Sequence, residues 1–429
     1  MRHSGTLTTS ARRPRRSAHA ARQRNPSPGE QAARRSGTAK ASASNRTPGP
    51  RPTATTTLVA VGDLQFDTTT RWPRIFFYEG LTATCVPGWR VSAPAPFLND
   101  AEGQRWIRRR GASLGSIQAT AHVTQCIPVD AQPGHNGNAA PLTGLRRYLR
   151  NADVVFGNLE CPLSARGRPI PNDNYFRAAP EYARHLAGHN FAAVSFANNH
   201  VMDYGELAFA DTLAALRAAG VGVVGAGEDY AAARRPVILE ADGLSFGFLG
   251  YSMIGGQFLF AGPAESGVAP LNELVVLRDV RRLRRRVDYV IVSAHWGREN
   301  LPAPTAEQVA LAHRIIDAGA DVLLGHHSHV PGPIEVYRSR LICYSLGNCV
   351  FGHGHSYWGD NMIVRLAFRR RGLDHLEVLP IGGTFRPAPL RGKRAGALLT
   401  AVRTASKPFG TDFEPSSHGA VVRRGLRGA

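Results

Sequence analysis

The chain has 429 residues, of which 43% are hydrophobic, and a formal net charge of +20 at pH 7. This length and composition allow one large domain or two modest ones. The charge is concentrated at the ends, with a net +11 in residues 1–56 and +6 in residues 391–429, which leaves +3 for residues 57–390. The composition therefore does not indicate a basic groove built into the folded region.

Residues 1–56 are rich in Arg, Ser, Ala, Thr and Pro and contain few large apolar side chains, which predicts a disordered basic segment. Its paired arginines are not followed by the apolar stretch of a signal peptide. The sequence contains no run of 18 or more apolar residues, so no transmembrane helix is predicted. The expected location is cytoplasmic or peripheral to a membrane, with weak contacts to nucleic acid or anionic lipid through the basic ends.

From Thr57 onward, short apolar runs alternate with amphipathic stretches, which is typical of an α/β fold. The predicted strands are TLVAVGD, ADVVFGNLE, FAAVSFANNH, GVGVVGAG, LSFGFLGY, DYVIVSAHWG, ADVLLGHH and LICYSLGNCVF, with two more in NMIVRLAFRRRGLDHLEVLPI. The predicted helices are PEYARHLAGH, GELAFADTLAALRAAG, TAEQVALAHRIIDAGA and a short one near Lys393–Lys407. We predict one domain at 57–415, interrupted by a long insertion at 68–141 whose structure the pattern does not indicate, and a flexible tail at 416–429.

Polar side chains stand at the ends of five predicted strands. In open α/β sheets ligands bind at the carboxyl ends of the strands, so these residues are expected to form one site. They are Asp63, Asn158 with Glu160, Asn199 with His200, His295, and His327 with His329.

Carboxylate, amide oxygen and neutral imidazole together favour Mn, Fe or Zn over Ca, which prefers oxygen ligands alone. One or two divalent ions are expected, and such a site can polarise an ester or amide and make water more acidic. His200 is the candidate proton donor, with Asp203 orienting its ring. Because side chains alternate along a strand, His327 and His329 are expected to share a face and His326 to point away.

Six ordered motifs give the chain a resemblance to a known family. They are VGDLQFD, VVFGNLECPLS, FANNHVMDYG, AHWGREN, GHHSHVPGPIEVY and YSLGNCVF. Together they resemble the CapA family of poly-gamma-glutamate capsule biosynthesis proteins, whose fold resembles that of the calcineurin-like metallophosphoesterases. The match covers roughly Leu58 to Ile381 and implies a four-layer α/β/β/α sandwich with a metal site at the strand ends.

The resemblance also implies roles for individual residues. Asp63 matches the first metal-binding Asp, Glu160 or Asn158 the bridging acidic position, Asn199 the second-metal Asn, His200 the acid, His295 an isolated ligand, and His327 with His329 the final H-x-H pair. Gln65 stands where metallophosphoesterases supply a histidine, and Asn158 stands where the bridging Asp would be. Both changes remove strong ligands, so one metal position is expected to be weak or empty. Glu299 is kept as a further carboxylate or base.

Two functions remain open. The first is a metal-dependent hydrolase acting on a phosphoester, or on amide bonds of an anionic polymer such as poly-gamma-glutamate or peptidoglycan peptide. The second is a non-catalytic assembly factor for capsule polymer with a structural metal site. The resemblance implies a setting among capsule synthesis machinery, and fold alone does not determine a substrate. We favour the hydrolase because His200 has no evident structural role.

Overall fold

The computed structural model describes residues 55–66, 73–74, 124–126, 141–170, 175–255, 259–351, 360–423 and 425–426. They belong to one compact unit, Pro52–Ala429. The predicted disordered segment at 1–56 lies outside the described residues except for Thr55 and Thr56. Most of the predicted insertion at 68–141 also lies outside them; within it the structure describes the backbone of two short strands and the last residue, Pro141.

The described residues contain twenty strands. They are β1 (Thr56–Gln65), β2 (Pro73–Arg74), β3 (Thr124–Cys126), β4 (Val154–Leu159), β5 (Phe191–Ser195), β6 (Gly222–Val224), β7 (Ala226–Gly227), β8 (Val237–Ala241), β9 (Leu244–Ser252), β10 (Gly267–Val268), β11 (Tyr289–His295), β12 (Val322–His326), β13 (Ile334–Tyr337), β14 (Arg340–Cys343), β15 (Asn348–Phe351), β16 (Asp360–Arg369), β17 (Gly372–Gly382), β18 (Ala388–Pro389), β19 (Glu414–Pro415) and β20 (Ala420–Val422).

Seven α-helices lie in the same described ranges. They are α1 (Arg146–Arg150), α2 (Tyr182–Gly188), α3 (Gly205–Ala218), α4 (Tyr230–Ala233), α5 (Glu273–Arg284), α6 (Ala306–Asp317) and α7 (Gly392–Ser406). Their ends follow from local sequence. Thr305 and Gln308 form a reciprocal capping box at the start of α6, and the Asn272 side chain caps α5. Gly220, with φ +75°, follows the end of α3 as the sequence predicted.

The strands form two large sheets. The first has the order β19-β20-β17-β16-β1-β4-β5-β6, with β15 also paired to β1 and β18 to β17. The second has the order β13-β14-β12-β11-β9-β8. Parallel pairing joins β1 to β4, β4 to β5 and β5 to β6 in the first sheet, and β9 to β11, β11 to β12 and β12 to β14 in the second. Each sheet therefore has an edge where several carboxyl ends meet.

One hydrophobic core lies between the two sheets. It contains Leu58 of β1 and Phe156 of β4 from the first sheet together with Phe248 of β9 and Leu324 of β12 from the second. The rings of Phe156 and Phe248 stack with their centroids 5.0 Å apart. Successive side chains along a strand point to opposite faces, so the neighbours of these residues face outward.

Two further cores cover the outer faces. Val59 of β1 packs in a core with Phe209 of α3, and Val292 of β11 packs in another with Leu311 of α6. The order of layers is therefore helices, first sheet, second sheet, helices. This confirms the predicted four-layer α/β/β/α sandwich.

The predicted strand LICYSLGNCVF was wrong as a single element. Its first half is β14, which belongs to the second sheet, and its second half is β15, which pairs with β1 in the first. The chain turns between them at Gly347, where φ is +68°. Both halves are apolar and buried, so hydrophobicity did not reveal the crossing between sheets.

The predicted flexible tail at 416–429 was also wrong for Ala420–Val422. These residues form β20, which pairs with β17 and is buried. The strand is only three residues long, too short to show a period. No described helix is long and apolar enough to cross a membrane.

Candidate metal centre

The carboxyl ends of strands from both sheets converge at one place. Asp63 in β1 is in register with Asn158 in β4, and His295 in β11 is in register with His326 in β12. Two contacts join the sheets there. His295 Nε2 lies 2.8 Å from Asn199 Oδ1, and His326 Nδ1 lies 3.3 Å from Asp63 Oδ1. The structure thus brings strand-end residues singled out in the sequence close together.

Five side chains at this place form what we call the ligand cluster. In each of three groups, one candidate donor atom per residue lies within 4.8 Å of the others, and the groups share members. They are Glu160–His295–His327, Asp63–Glu160–His329 and Glu299–His327–His329. The ligand cluster comprises the buried members, Asp63, Glu160, His295, His327 and His329, and the exposed Glu299 lies at its rim.

The two carboxylates of the ligand cluster have opposite pKa shifts. Burial raises the pKa of Glu160 well above its usual range, and the nearby charge of Asp63 raises it further. Burial also acts to raise the pKa of Asp63, but His326 and His329 outweigh it and hold that pKa below its usual value. Two buried carboxylates side by side repel each other when both are ionised, so this pair favours a bound cation.

Burial favours the neutral form, which metals require, for His295 and His327. Burial lowers the pKa of His295 well below its usual value, with further lowering by His327 and His326. Burial likewise lowers the pKa of His327 to about 3. Neutral rings keep a lone pair available for coordination.

Several buried polar atoms of the site make no hydrogen bond with a described residue. They are Glu160 Oε1, both ring nitrogens of His326, and His327 Nδ1. Leaving such a group unsatisfied costs about 1–3 kcal/mol. A cation shared among carboxylate and imidazole donors would offset that cost, so the residues present fit a divalent metal ion.

Asn158 lies inside the site as a link between its members. Its Nδ2 donates to Asp63 Oδ1 at 2.9 Å and to Glu160 Oε2 at 3.4 Å. Its Oδ1 accepts from Asn198 Nδ2 at 3.3 Å. In this arrangement the amide nitrogen of Asn158 faces the carboxylates and its amide oxygen faces Asn198, so the side chain links them by hydrogen bonds.

His326 was predicted to point away from the site, and this was wrong. The ring is fully buried with Nδ1 3.3 Å from Asp63 Oδ1. β12 ends at His326, and His327 and His329 have φ of +91° and +59°. The alternation of side chains along a strand therefore stops at His326 and does not order the rings that follow.

His200 and Asp203 form a hydrogen-bonded pair beside the ligand cluster. His200 Nδ1 donates to Asp203 Oδ2 at 2.7 Å, and the same oxygen accepts from the backbone nitrogen of Phe176 at 2.7 Å. The His200 ring packs on Phe176 with centroids 4.2 Å apart, and His200 lies near enough to His327 to contribute to its lowered pKa. The ring orientation is thus set by contacts on two sides.

Two asparagines that the sequence reasoning assigned no role take part in the site. Asn198 accepts from the backbone nitrogen of His200 at 3.1 Å and donates to Leu159 O at 2.7 Å. Asn348 Oδ1 accepts from His329 Nδ1 at 2.9 Å. The quoted motifs FANNH and SLGNC contain these residues, so their polar character at a strand end was the available signal. Gln65 is fully buried in β1, two residues after Asp63.

Gly62 allows the close approach that places Asp63. A Cβ at Gly62 would lie 1.9 Å from Gly347 O, and the backbone nitrogen of Asp63 donates to that same oxygen at 3.0 Å. We expect Gly62→Ala to lower the free energy of unfolding by about 1–3 kcal/mol, as overpacking does, and to reduce metal content by displacing Asp63. Denaturant unfolding and elemental analysis measure the two effects.

Gly396→Ala is the matched control for that substitution. Gly396 lies in α7, and an added Cβ there meets nothing within 4 Å. Alanine favours a helix over glycine by about 1 kcal/mol, so the control is expected to be neutral or stabilising. Equal stability of the two variants would contradict the proposed steric role of Gly62.

The chain matches a family model and several known proteins. A family model described as "Bacterial capsule synthesis protein PGA_cap" matches residues 114–353, more than half of the chain. "PGA biosynthesis protein CapA" of Bacillus subtilis (strain 168) is 32% identical over 247 residues, which cover 57% of this chain and 65% of that protein. "Capsule biosynthesis protein CapA" of Bacillus anthracis is 32% identical over 276 residues, covering 62% and 66%. The chain thus spans just under two thirds of the length of these relatives.

Among solved structures, the chain is similar to the calcineurin-like phosphoesterase YfkN from Bacillus subtilis. The TM-score is 0.36 with 10% sequence identity, and the match covers 82% of this chain and 98% of that one. A likeness at this level carries no argument about the site. The fold class rests on the strand order and the three cores described above.

Proposed function

Because the chain belongs to the bacterial capsule synthesis family PGA_cap, we propose that it is a metal-dependent hydrolase acting on an anionic capsule polymer. The bond cleaved is an amide of the polymer or a phosphoester. The observation that carries the proposal is the placement of the His200–Asp203 pair beside the ligand cluster. A histidine whose ring is oriented by a buried carboxylate is the arrangement that a general acid needs.

The ligand cluster would hold one or two divalent ions, of which Mn, Fe and Zn suit a mixed imidazole and carboxylate set. A divalent ion bound there would polarise the oxygen of the scissile bond and make water more acidic. The remaining chemistry belongs to side chains of the chain itself. Asp63 and Glu160 supply negative charge, and Asn158 links the two carboxylates by donating to both from its amide nitrogen.

His200 is proposed as the donor of the proton that the leaving group needs. Asp203 accepts from Nδ1, so Nε2 is the ring atom that carries the transferable proton. Asp203 also stabilises the positive charge of the protonated ring. Phe176 covers one face of the ring and limits its rotation. Glu299, at the exposed rim, is proposed as a further carboxylate that approaches substrate or water.

Metal analysis combined with an activity screen tests the proposal. The purified chain is depleted with a chelator and reconstituted in turn with Mn, Fe and Zn. It is then assayed on phosphomonoesters, phosphodiesters and gamma-glutamyl oligomers. We expect about one or two ions per chain and hydrolysis that disappears with the metal.

Two outcomes contradict the proposal in different ways. Less than about 0.2 ion per chain after reconstitution would exclude the metal site. Full metal occupancy with no hydrolysis of any of these substrates would favour the assembly factor, which would associate with capsule synthesis machinery without cleaving polymer.

A further inference from the structure

A cavity of about 270 Å³ lies outside the ligand cluster, and we call it the arginine pocket. It is formed by the segment that follows α4 and by the carboxyl-terminal half of α5. Arg234 and Arg235 line it from the first segment, Asp279 and Arg282 line it from α5, and Arg286 lines it from two residues beyond the end of α5. Four arginines and one carboxylate therefore line the same small cavity.

The single carboxylate of the arginine pocket is already engaged. Arg234 Nε donates to Asp279 Oδ2 at 2.8 Å, and its second nitrogen pairs with Asp279 Oδ1 at 2.5 Å. Tyr251 donates its hydroxyl to Asp279 Oδ2 at 3.1 Å. The Arg234 guanidinium also stacks over the Tyr230 ring, 4.7 Å from its centroid. Arg234 is thus fixed in place. The Asp279 carboxylate also lies 3.9 Å from Nε of Arg278, and among the described residues it forms no ion pair with Arg235, Arg282 or Arg286.

Three arginines of the pocket remain without compensation. Arg235, Arg282 and Arg286 are exposed, and none forms an ion pair with a residue that the structure describes. The near-neutral total charge of residues 57–390 conceals this local excess. Like charges held close together repel each other, so an anion bound among these arginines would be stabilised.

The basic surface continues from the pocket along α5. Arg278, Arg281, Arg282 and Arg285 are exposed and recur at intervals of three and four residues, which places them on one side of the helix. Like charges at these intervals destabilise a helix. Arginines near the carboxyl terminus of a helix interact favourably with the helix dipole. That effect does not account for Arg234 and Arg235, which reach the pocket from another segment.

We infer that the arginine pocket and the exposed arginines of α5 bind a linear polycarboxylate chain at a site separate from the ligand cluster. Guanidinium groups pair with carboxylates through parallel hydrogen bonds. The cavity is large enough for one acidic side group, and the row along α5 receives the next ones. Among the described residues that line the pocket, none is aromatic. Single-stranded nucleic acid usually needs such rings for stacking, so the chemistry favours carboxylates.

The position of the pocket separates its role from catalysis. Leu249 and Leu283, which also line it, belong to the outer core on the helix-covered face of the second sheet. The ligand cluster lies at the carboxyl edge of the strands. A polymer held on α5 stays near the protein between encounters with the ligand cluster, which raises its effective concentration there. The inference rests on the capsule-polymer part of the proposed function and not on hydrolysis.

The test compares the full wild-type chain with the triple variant Arg235→Ser/Arg282→Ser/Arg286→Ser. The probe is a fluorescent poly-gamma-glutamate oligomer, with neutral polyglutamine and single-stranded DNA as competitors. We expect the variant to bind the oligomer about tenfold more weakly and with a shallower salt dependence. Its metal content and melting temperature should match those of the wild type, because all three side chains are exposed.

The matched control is Arg146→Ser/Arg147→Ser on α1. These arginines are also exposed, but Leu149 of α1 packs in the core on the opposite outer face, that of the first sheet. The control is expected to bind the oligomer as the wild type does, with the basic residues of 1–56 present in every variant. Equal weakening in control and triple variant, or unchanged binding in the triple variant, would overturn the inference. So would single-stranded DNA that competes as strongly as unlabelled oligomer.

Activity measurements keep this inference distinct from the proposed function. If the chain hydrolyses the polymer, the triple variant should raise KM for a long polymer and leave kcat and small-substrate turnover unchanged. If the chain hydrolyses nothing, the binding difference alone still decides the inference. If the triple variant binds the polymer weakly and neither protein hydrolyses any substrate, the arginine pocket is supported and the hydrolase is rejected.

Discussion

Replacement of His200 by asparagine is expected to lower turnover by about 10²–10⁴-fold, the range for loss of a general acid. The metal content should stay near that of the wild type, because His200 is not a member of the ligand cluster. Asparagine keeps a polar group near Asp203, which otherwise loses its 2.7 Å partner at His200 Nδ1. Steady-state kinetics on the best substrate found, together with elemental analysis of the same samples, measures both quantities.

The leaving group supplies the internal control for the His200 variant. A substrate whose leaving group is a weak base needs little protonation, so its turnover should fall least. Asp203→Asn should give a smaller loss with the same dependence on leaving group, since Asp203 acts by orienting and charging the His200 ring. If His200→Asn leaves hydrolysis of a substrate with a poor leaving group intact, His200 is not the acid. If the variant loses metal as well, His200 has a role in the ligand cluster that its position does not suggest.

The central strands were predictable because they are buried on both faces. β1, β4, β11 and β12 are short apolar runs, and each carries a polar residue at or near its carboxyl end. The polar residues at their ends could be grouped for the same reason, since parallel strands end at a common edge. The six motifs correctly indicated the family that the match to residues 114–353 identifies.

The errors arose where a local rule stopped applying. The side-chain alternation used for His326 holds only within a strand, and β12 ends at that residue. α5 was not predicted as a helix, although its buried residues Val276, Val280 and Leu283 recur at the intervals of four and three residues that indicate one. Total charge over 57–390 likewise could not show that arginines of α5 and of the segment after α4 meet in space. Such encounters depend on tertiary structure and leave no periodic signal in the sequence.

The second large effect is expected from the histidines of the ligand cluster. Loss of a residue that only hydrogen-bonds to a metal ligand typically lowers metal affinity about 10–100-fold. His327→Ala and His329→Ala should each lower the affinity by more than this, because each removes a direct donor. The folded state should be retained. His327 Nδ1 makes no hydrogen bond with a described residue, so its removal leaves no hydrogen-bond partner stranded there. Metal affinity is measured by competition with a chelating dye, and folding by thermal melting.

His313→Ala is the control for these two variants. His313 Nε2 lies 2.8 Å from Glu335 Oε1, and its ring stacks on Tyr337 at 3.9 Å, so it belongs to the packing of α6 and is not part of the ligand cluster. Its loss should affect stability and leave metal affinity unchanged.

His326→Ala is expected to behave like the cluster variants and not like His313→Ala, because the His326 ring faces Asp63 at 3.3 Å with neither nitrogen hydrogen-bonded to a described residue. Normal metal affinity in both His327→Ala and His329→Ala would mean that these rings are not ligands. If only His326→Ala leaves the metal affinity unchanged, the direct donors are the five residues of the ligand cluster, and His326 contacts Asp63 without binding the metal.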